Sequence, residues 1–163
     1  MVGAKKNTLN VTSGHERGVE VVRSIVESSV RHKLESLSLY AFSTENWSRP
    51  KKEILGIKKL IISAIDAQVP DLIEQQVELH FFGNYESFGS EVVDAIQDAE
   101  KATTFSKPAL KLNIALGYGG RADILQAFRS IGESIASQKI DPIDISDELI
   151  FQHLKAPIKE LDL

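Results

Sequence analysis

Residues 36–50 read Ser-Leu-Ser-Leu-Tyr-Ala-Phe-Ser-Thr-Glu-Asn-Trp-Ser-Arg-Pro, and the change of character midway decides how the chain is read. Leu37, Leu39 and Ala41 alternate with Ser36, Ser38 and Tyr40, the period of two of a half-buried strand, and Phe42 closes it. From Ser43 to Arg49 the side chains become hydroxyls, a carboxylate, an amide, an indole and a guanidinium without interruption. Pro50 then suits the first turn of a helix. In α/β sheets ligands bind at the carboxyl ends of strands, where this run would lie, so it is the candidate active-site loop. The plainer alternative is a polar capping turn.

Working outward, the next segment carries the helical period. Residues 51 to about 69 place Ile54, Ile57, Ile61, Ala64 and Ile65 on one stripe, widened by Leu55, Leu60 and Ile62, with lysines at 51, 52, 58 and 59 on the wet side. So wide a stripe fits a core helix, and would equally wall a hydrophobic channel. Pro70 is expected to kink or end the helix near Val69. Val77, Leu79 and Phe81 alternate with Glu78, His80 and Phe82 in a second strand that stops at Gly83-Asn84; His80 is expected on a strand face, doing no chemistry. A helix from about Ser90 to Thr103 turns Val92, Val93, Ile96 and Ala99 inward, and Leu110, Leu112, Ile114 and Leu116 form a third strand. The helix starting near Arg121 is expected to carry Ile124, Leu125, Phe128 and Ile131 inward, and a last one runs roughly from Ser146 to Leu154. Strands alternating with helices predict a single α/β domain, a mainly parallel β-sheet flanked by helices. Three strands are few for so many apolar residues, so flanking strands are expected, and Leu161-Asp162-Leu163 reads as the start of one.

Upstream, Ser13-Gly14-His15-Glu16 fits a capping box, with Ser13 as N-cap and Glu16 reaching back, ahead of a stripe of Val19, Val22, Val26 and Val30. His15 is thereby expected in the first turn, where free amides and the helix dipole favour a phosphate and the imidazole adds a donor. An exposed histidine without that role is the alternative. Between the third strand and the next helix, Gly117-Tyr118-Gly119-Gly120-Arg121-Ala122 formally satisfies G-x-G-x-x-A. A dinucleotide site also needs a following strand ending in an acidic residue, and Lys139 to Ile145, with Pro142, reads as a loop. The favoured reading is a turn that needs glycine's backbone freedom, with Arg121 capping or facing a ligand.

Composition narrows the classes. At 163 residues and 42% hydrophobic, the chain can bury one core. A net charge of −4 argues against a nucleic-acid binder with a bulk basic surface, while leaving room for a local anion site. The lack of cysteine means no disulfide and no thiolate metal site. The N-terminus holds no apolar leader core, and Leu60 to Ile65, broken by Ser63, falls far short of the roughly 18 residues of a span, so a cytoplasmic location is expected.

Several stretches together resemble the cis-prenyltransferases, the isoprenyl diphosphate transferases that include bacterial undecaprenyl diphosphate synthase. Residues 39–50 are close to the bacterial form of the family's central motif. Gly14-His15 with Gly18 matches the motif upstream, and Leu112-Asn113-Ile114-Ala115 followed by Tyr118-Gly119-Gly120-Arg121 matches a third. The resemblance covers nearly the whole chain and implies an undecaprenyl diphosphate synthase-like fold. Residue by residue, it implies that His15 and Arg49 hold the diphosphate of an allylic primer such as farnesyl diphosphate. It implies that Ser43, Thr44, Glu45 and Trp47 face substrate, and that Asn46 and Ser43 guide proton removal. In the implied reaction the allylic diphosphate departs, isopentenyl diphosphate attacks, and a proton is lost to leave a cis double bond. No DDxxD run, the mark of the trans-prenyltransferases, occurs. The family further implies Mg2+, a homodimer, and membrane contact made only peripherally, through the lipid product.

The family's magnesium aspartate belongs to a loop reading Met-Asp-Gly-Asn-Gly-Arg-Trp-Ala. Counting back from His15, Ala4-Lys5-Lys6 aligns with its tail, Gly3 stands where the tryptophan belongs, and the aspartate would lie before Met1. Val11 replaces a common arginine and Gly117 a frequent asparagine. The Arg-Thr-Ser-Gly-Glu motif that binds isopentenyl diphosphate would follow Leu161-Asp162-Leu163. The expectation is therefore one partial prenyltransferase domain over residues 1–163, with an incomplete sheet, no metal ligand of its own and little activity in isolation. The alternative is a non-catalytic partner subunit of the same fold, although such partners tend to lose the central motif that this chain keeps.

Overall fold

The computed structural model describes residues 11–156, with side chains from residue 18 onward. The elements follow in the order α1 (Val11–Arg31), β1 (Ser36–Ser43), α2 (Lys51–Glu74), β2 (Val77–Phe82), α3 (Ser90–Ala102), β3 (Leu110–Tyr118), α4 (Gly120–Ala136) and α5 (Asp147–His153). Short 3-10 turns lie at Thr44–Ser48, Tyr85–Phe88 and Pro142–Asp144. Among the described residues the sheet has three parallel strands in the order β1-β3-β2.

The register explains where the core sits. Leu37 and Leu39 stand opposite Leu112 and Ile114, and Val77, Leu79 and Phe81 opposite Leu110, Leu112 and Ile114. Since side chains alternate along a strand, these residues line one face. Val26 of α1, Ile65 and Leu72 of α2, and Val92, Ile96 and Ala99 of α3 pack on it in one cluster. Each large aliphatic group so buried contributes about 1.5–3 kcal/mol of transfer free energy. The outer edge of β2 is closed by α3. The Leu79 amide donates to Thr103 Oγ1 at 3.2 Å and the Phe81 amide to Glu100 Oε1 at 2.6 Å, so backbone donors that would stand open at a sheet edge are satisfied.

Four expectations are corrected. The alternation of β1 breaks at an irregularity between Tyr40 and Phe42, which leaves Ala41 exposed and puts Phe42 into the core at 3% exposure. Helix α1 is already formed at Val11, so Ser13 lies inside the helix rather than at its N-cap and His15 falls beyond the first turn, past the free amides. Pro70, expected to kink or end α2, does not end it: the helix continues to Glu74. The ring removes one bond, to the Asp66 carbonyl; Asp66 and Pro70 are both exposed, so water can take that bond, and buried Leu72 holds the last turn on the core. On α4, Ile124, Leu125 and Phe128 are exposed, and the inward stripe is Asp123, Ala127 and Ile131. The rotation of the helix follows from Asp123, whose carboxylate is drawn inward by two backbone amides, those of Lys155 and Ala156. The strand expected from Leu161 lies outside the described residues.

Candidate active site

Parallel strands put their carboxyl ends along one edge, and three loops meet there. Asn84 after β2 donates its amide to the Gly117 carbonyl at 3.2 Å. Gly117 has φ +68, and a Cβ on it would stand 2.8 Å from the Asn84 carbonyl oxygen; a Cβ at Gly83, φ +119, would collide with the Leu116 carbonyl. Both positions need glycine for conformation and for room. Across the edge, Tyr118 stands opposite Ser43 in register, which brings the turn after β3 against the loop after β1.

That loop is held from within. The Ser43 amide donates to Asn46 Oδ1 at 3.1 Å, Ser48 Oγ to the Glu45 carbonyl at 2.8 Å, and the Arg49 amide to the Asn46 carbonyl at 3.1 Å. Pro50 accepts from the Glu53 and Ile54 amides and so starts α2. Arg49 Nη1 meets Glu53 Oε1 at 2.6 Å one helical turn on, with both side chains mostly covered. Trp47 turns under the loop rather than out of it, its ring centroid 5.1 Å from that of Phe42 and 4.5 Å from that of Phe88.

The charges and hydroxyls are set by their neighbours. Glu45 is exposed and held below the usual carboxylate range by its own backbone amide first, then by the Ser43 and Thr44 hydroxyls and the charge of Arg121. It is an anion at neutral pH. Burial pushes Tyr118 up to about 12, helped by the negative charge of the Asp123 carboxylate nearby. Tyr40 is raised by desolvation and by Glu45, and its hydroxyl donates to the Tyr118 carbonyl at 2.5 Å. Both tyrosines are therefore donors at neutral pH and poor proton acceptors.

Ser43, Thr44, Glu45, Asn46, Trp47 and Arg49 thus share one loop, and the charge of Arg121, in the first turn of α4, reaches Glu45 there. The backbone places His15 on α1, and its side chain lies outside the described residues. Sequence reasoning missed the Tyr40–Tyr118 pair and the burial of Asp123. Tyr40 did alternate to the outer side of β1, but its partner depends on the parallel register with β3, which no local pattern carries. The glycine turn lacks the strand that a dinucleotide fingerprint needs, since residues 142–144 form a 3-10 turn instead. Among the described residues there is no group of three or more His, Cys, Asp or Glu that could hold a metal ion.

Comparison with known proteins bears on this site. The family model described as "Putative undecaprenyl diphosphate synthase" matches residues 3–163. A Yersinia pseudotuberculosis ditrans,polycis-undecaprenyl-diphosphate synthase, specific for (2E,6E)-farnesyl diphosphate, is 38% identical over 141 residues, 86% of this chain and 56% of that protein. The chain thus spans little more than half the length of that curated relative. Among solved structures, lavandulyl diphosphate synthase from Lavandula x intermedia, in complex with dimethylallyl diphosphate, superposes with a TM-score of 0.88 at 28% identity, covering 96% of this chain and 67% of that one. A probable undecaprenyl diphosphate synthase from Campylobacter jejuni gives 0.73 at 31% identity, covering 87% and 65%.

Proposed function

Because the chain belongs to the undecaprenyl diphosphate synthase family of prenyltransferases, we propose that its loop 43–49 binds an allylic diphosphate such as farnesyl diphosphate for condensation with isopentenyl diphosphate. The observation that carries this reading is the loop itself: a mostly covered guanidinium, three hydroxyls and an amide gathered at the carboxyl edge of a parallel sheet. Arg49 stabilises the negative charge that develops as the primer's diphosphate leaves. His15 adds a second donor to that diphosphate. Asn46 keeps Oδ1 on the Ser43 amide, which fixes the loop and leaves its Nδ2 to orient the incoming diphosphate. Ser43 and Asn46 then guide the proton lost as the cis double bond forms. Ionised Glu45 faces the reacting carbons, where positive charge develops. Trp47 serves from beneath, by anchoring the loop on Phe88.

Magnesium is implied by the family, and no step here runs through it. The domain is read as partial. The described residues supply one side of a site that must hold two diphosphates, and losing even one charge-stabilising donor costs roughly 10²- to 10³-fold. Turnover by this chain alone is accordingly slight. Pairing of two copies suits the exposed Ile124, Leu125 and Phe128 of α4. Any contact with a membrane is peripheral and made through the lipid product; no helix among the described residues is long and apolar enough to cross one.

The test combines titration of farnesyl diphosphate into the purified chain with a turnover assay containing magnesium and isopentenyl diphosphate. Binding with little product is expected. Product at enzyme-like rates overturns the partial-site reading, and no binding at all overturns the assignment of the loop, favouring a non-catalytic partner of the same fold.

A further inference from the structure

Asp123 is unusual for an acidic residue in the first turn of a helix whose outer face is open: only 5% of it is exposed. Its carboxylate is used on both sides by backbone far along the chain. Oδ1 accepts the Lys155 amide at 2.9 Å and Oδ2 the Ala156 amide at 3.3 Å. The Tyr118 hydroxyl lies within reach of the same carboxylate's charge. The Lys155 ammonium donates to the Gly83 carbonyl at 3.0 Å, and Ala156 packs with Phe82, Ala115 and Tyr118. One buried carboxylate therefore ties residues 155 and 156 to the start of α4, and the Lys155 ammonium and the Ala156 side chain carry that tie to the carboxyl ends of β2 and β3.

The tie reaches the site loop in one step. Tyr118 stands opposite Ser43 in the parallel register, and its carbonyl accepts the Tyr40 hydroxyl. Whatever fixes Tyr118 fixes the end of β1, where the loop begins. We propose that Asp123 is a positioning residue for the diphosphate site: by clamping the backbone at Lys155 and Ala156 to the end of β3, it sets Tyr118 and Ser43 and so governs diphosphate binding at loop 43–49. This rests on the reading of that loop as an allylic diphosphate site. Asparagine at 123 keeps the shape but turns one acceptor into an NH2 donor facing a backbone N–H, so one bond of the clamp must open. An acid that served only to hold the fold together would change stability and leave affinity alone.

The experiment titrates farnesyl diphosphate into the full chain and follows backbone amides by NMR, for the wild type, Asp123→Asn, Tyr118→Phe and Ile131→Val. Ile131 is buried on the same helix and remote from the clamp in sequence, so its variant controls for lost stability. In the wild type the ligand should move the amides of Ser43 and Thr44 together with those of Lys155 and Ala156. Asp123→Asn should weaken binding about tenfold or more and uncouple the two sets, with the amides of Leu110 to Ile114, away from the clamped end of β3, unchanged. Tyr118→Phe keeps both backbone bonds and should fall between, and it decides the matter if Asp123→Asn fails to fold. Ile131→Val should melt earlier and bind as the wild type does. Wild-type affinity in Asp123→Asn overturns the proposal, as does a loss of affinity in Ile131→Val in step with its stability. If the wild type binds no farnesyl diphosphate, the reading of the loop fails first and takes this one with it, an outcome visible before any variant is made.

Discussion

Thr44 fills the space that a side chain at position 119 would need: a Cβ on Gly119 would stand 2.5 Å from Thr44 Oγ1 and 3.2 Å from its Cγ2. Gly119 has φ −157, extended backbone open to any residue, so glycine is required there for room alone. Gly119→Ala must push Thr44, and with it the start of the site loop, at a cost of about 1–3 kcal/mol. Urea unfolding measures the cost. Adding Thr44→Ala should recover most of it, and a double variant no more stable than the single one would show that the crowding does not run through Thr44.

The loop is anchored from below as well. Phe88 is 6% exposed and packs against both Trp47 and Phe42, with ring centroids 4.5 and 5.0 Å away. Phe88→Ala should cost about 3–5 kcal/mol through lost burial and the cavity left behind. Trp47 is the chain's one tryptophan, so its emission reports directly on this change. A red shift with partial retention of the fold is expected; unchanged emission in a destabilised variant would mean that Trp47 does not depend on Phe88 for its place.

Where the pattern is local, the sequence was legible. The alternation of Val77, Leu79 and Phe81 and of Leu110, Leu112 and Ile114 placed β2 and β3 correctly, because inward and outward faces recur every second residue. The polar run from Ser43 to Arg49 did fall at a strand end. What failed depended on distant partners. Phe42 displaces Ala41 from the core because the pairing of β1 with β3 slips there. Ile124, Leu125 and Phe128 face outward because Asp123 is claimed by Lys155 and Ala156. Pro70 stays helical because Leu72 is buried beyond it. In each case a tertiary contact overrode a sound local preference, and none of those contacts leaves a mark within a window of neighbouring residues.

A pH dependence follows from His80. Glu100 Oε1 lies 3.2 Å from His80 Nδ1, and this hydrogen bond first, opposed by partial burial and helped by the charges of Glu100 and Glu78, raises the imidazole above its ordinary value. A raised pKa means that the folded state holds the proton more tightly than the unfolded chain. The added stability is therefore full below the ordinary histidine value near 6.5 and is lost as pH rises through the folded value. Half of the side chain is exposed, so solvent screening keeps the effect under about 1 kcal/mol. Thermal unfolding between pH 5 and 8 should show the wild type losing this increment and His80→Gln lacking it; matching profiles would rule the pair out as its source.

Arg49 and Glu53 form a charge pair at the loop, 2.6 Å apart, with side chains 23% and 27% exposed. A diphosphate bound there competes with Glu53 for the guanidinium. Arg49→Ala removes a charge-assisted bond worth about 1.5–3 kcal/mol, so farnesyl diphosphate affinity should fall by roughly tenfold to a hundredfold. Arg49→Lys keeps the charge and loses the planar fork, and should lie between. Glu53→Gln keeps the shape of the carboxylate and removes its negative charge, so binding should tighten several-fold. Isothermal titration at fixed salt separates the cases. Unchanged affinity in Arg49→Ala would take the guanidinium out of the diphosphate site, whereas weaker binding in Glu53→Gln would mean that the carboxylate aims Arg49 at the ligand rather than competing for it.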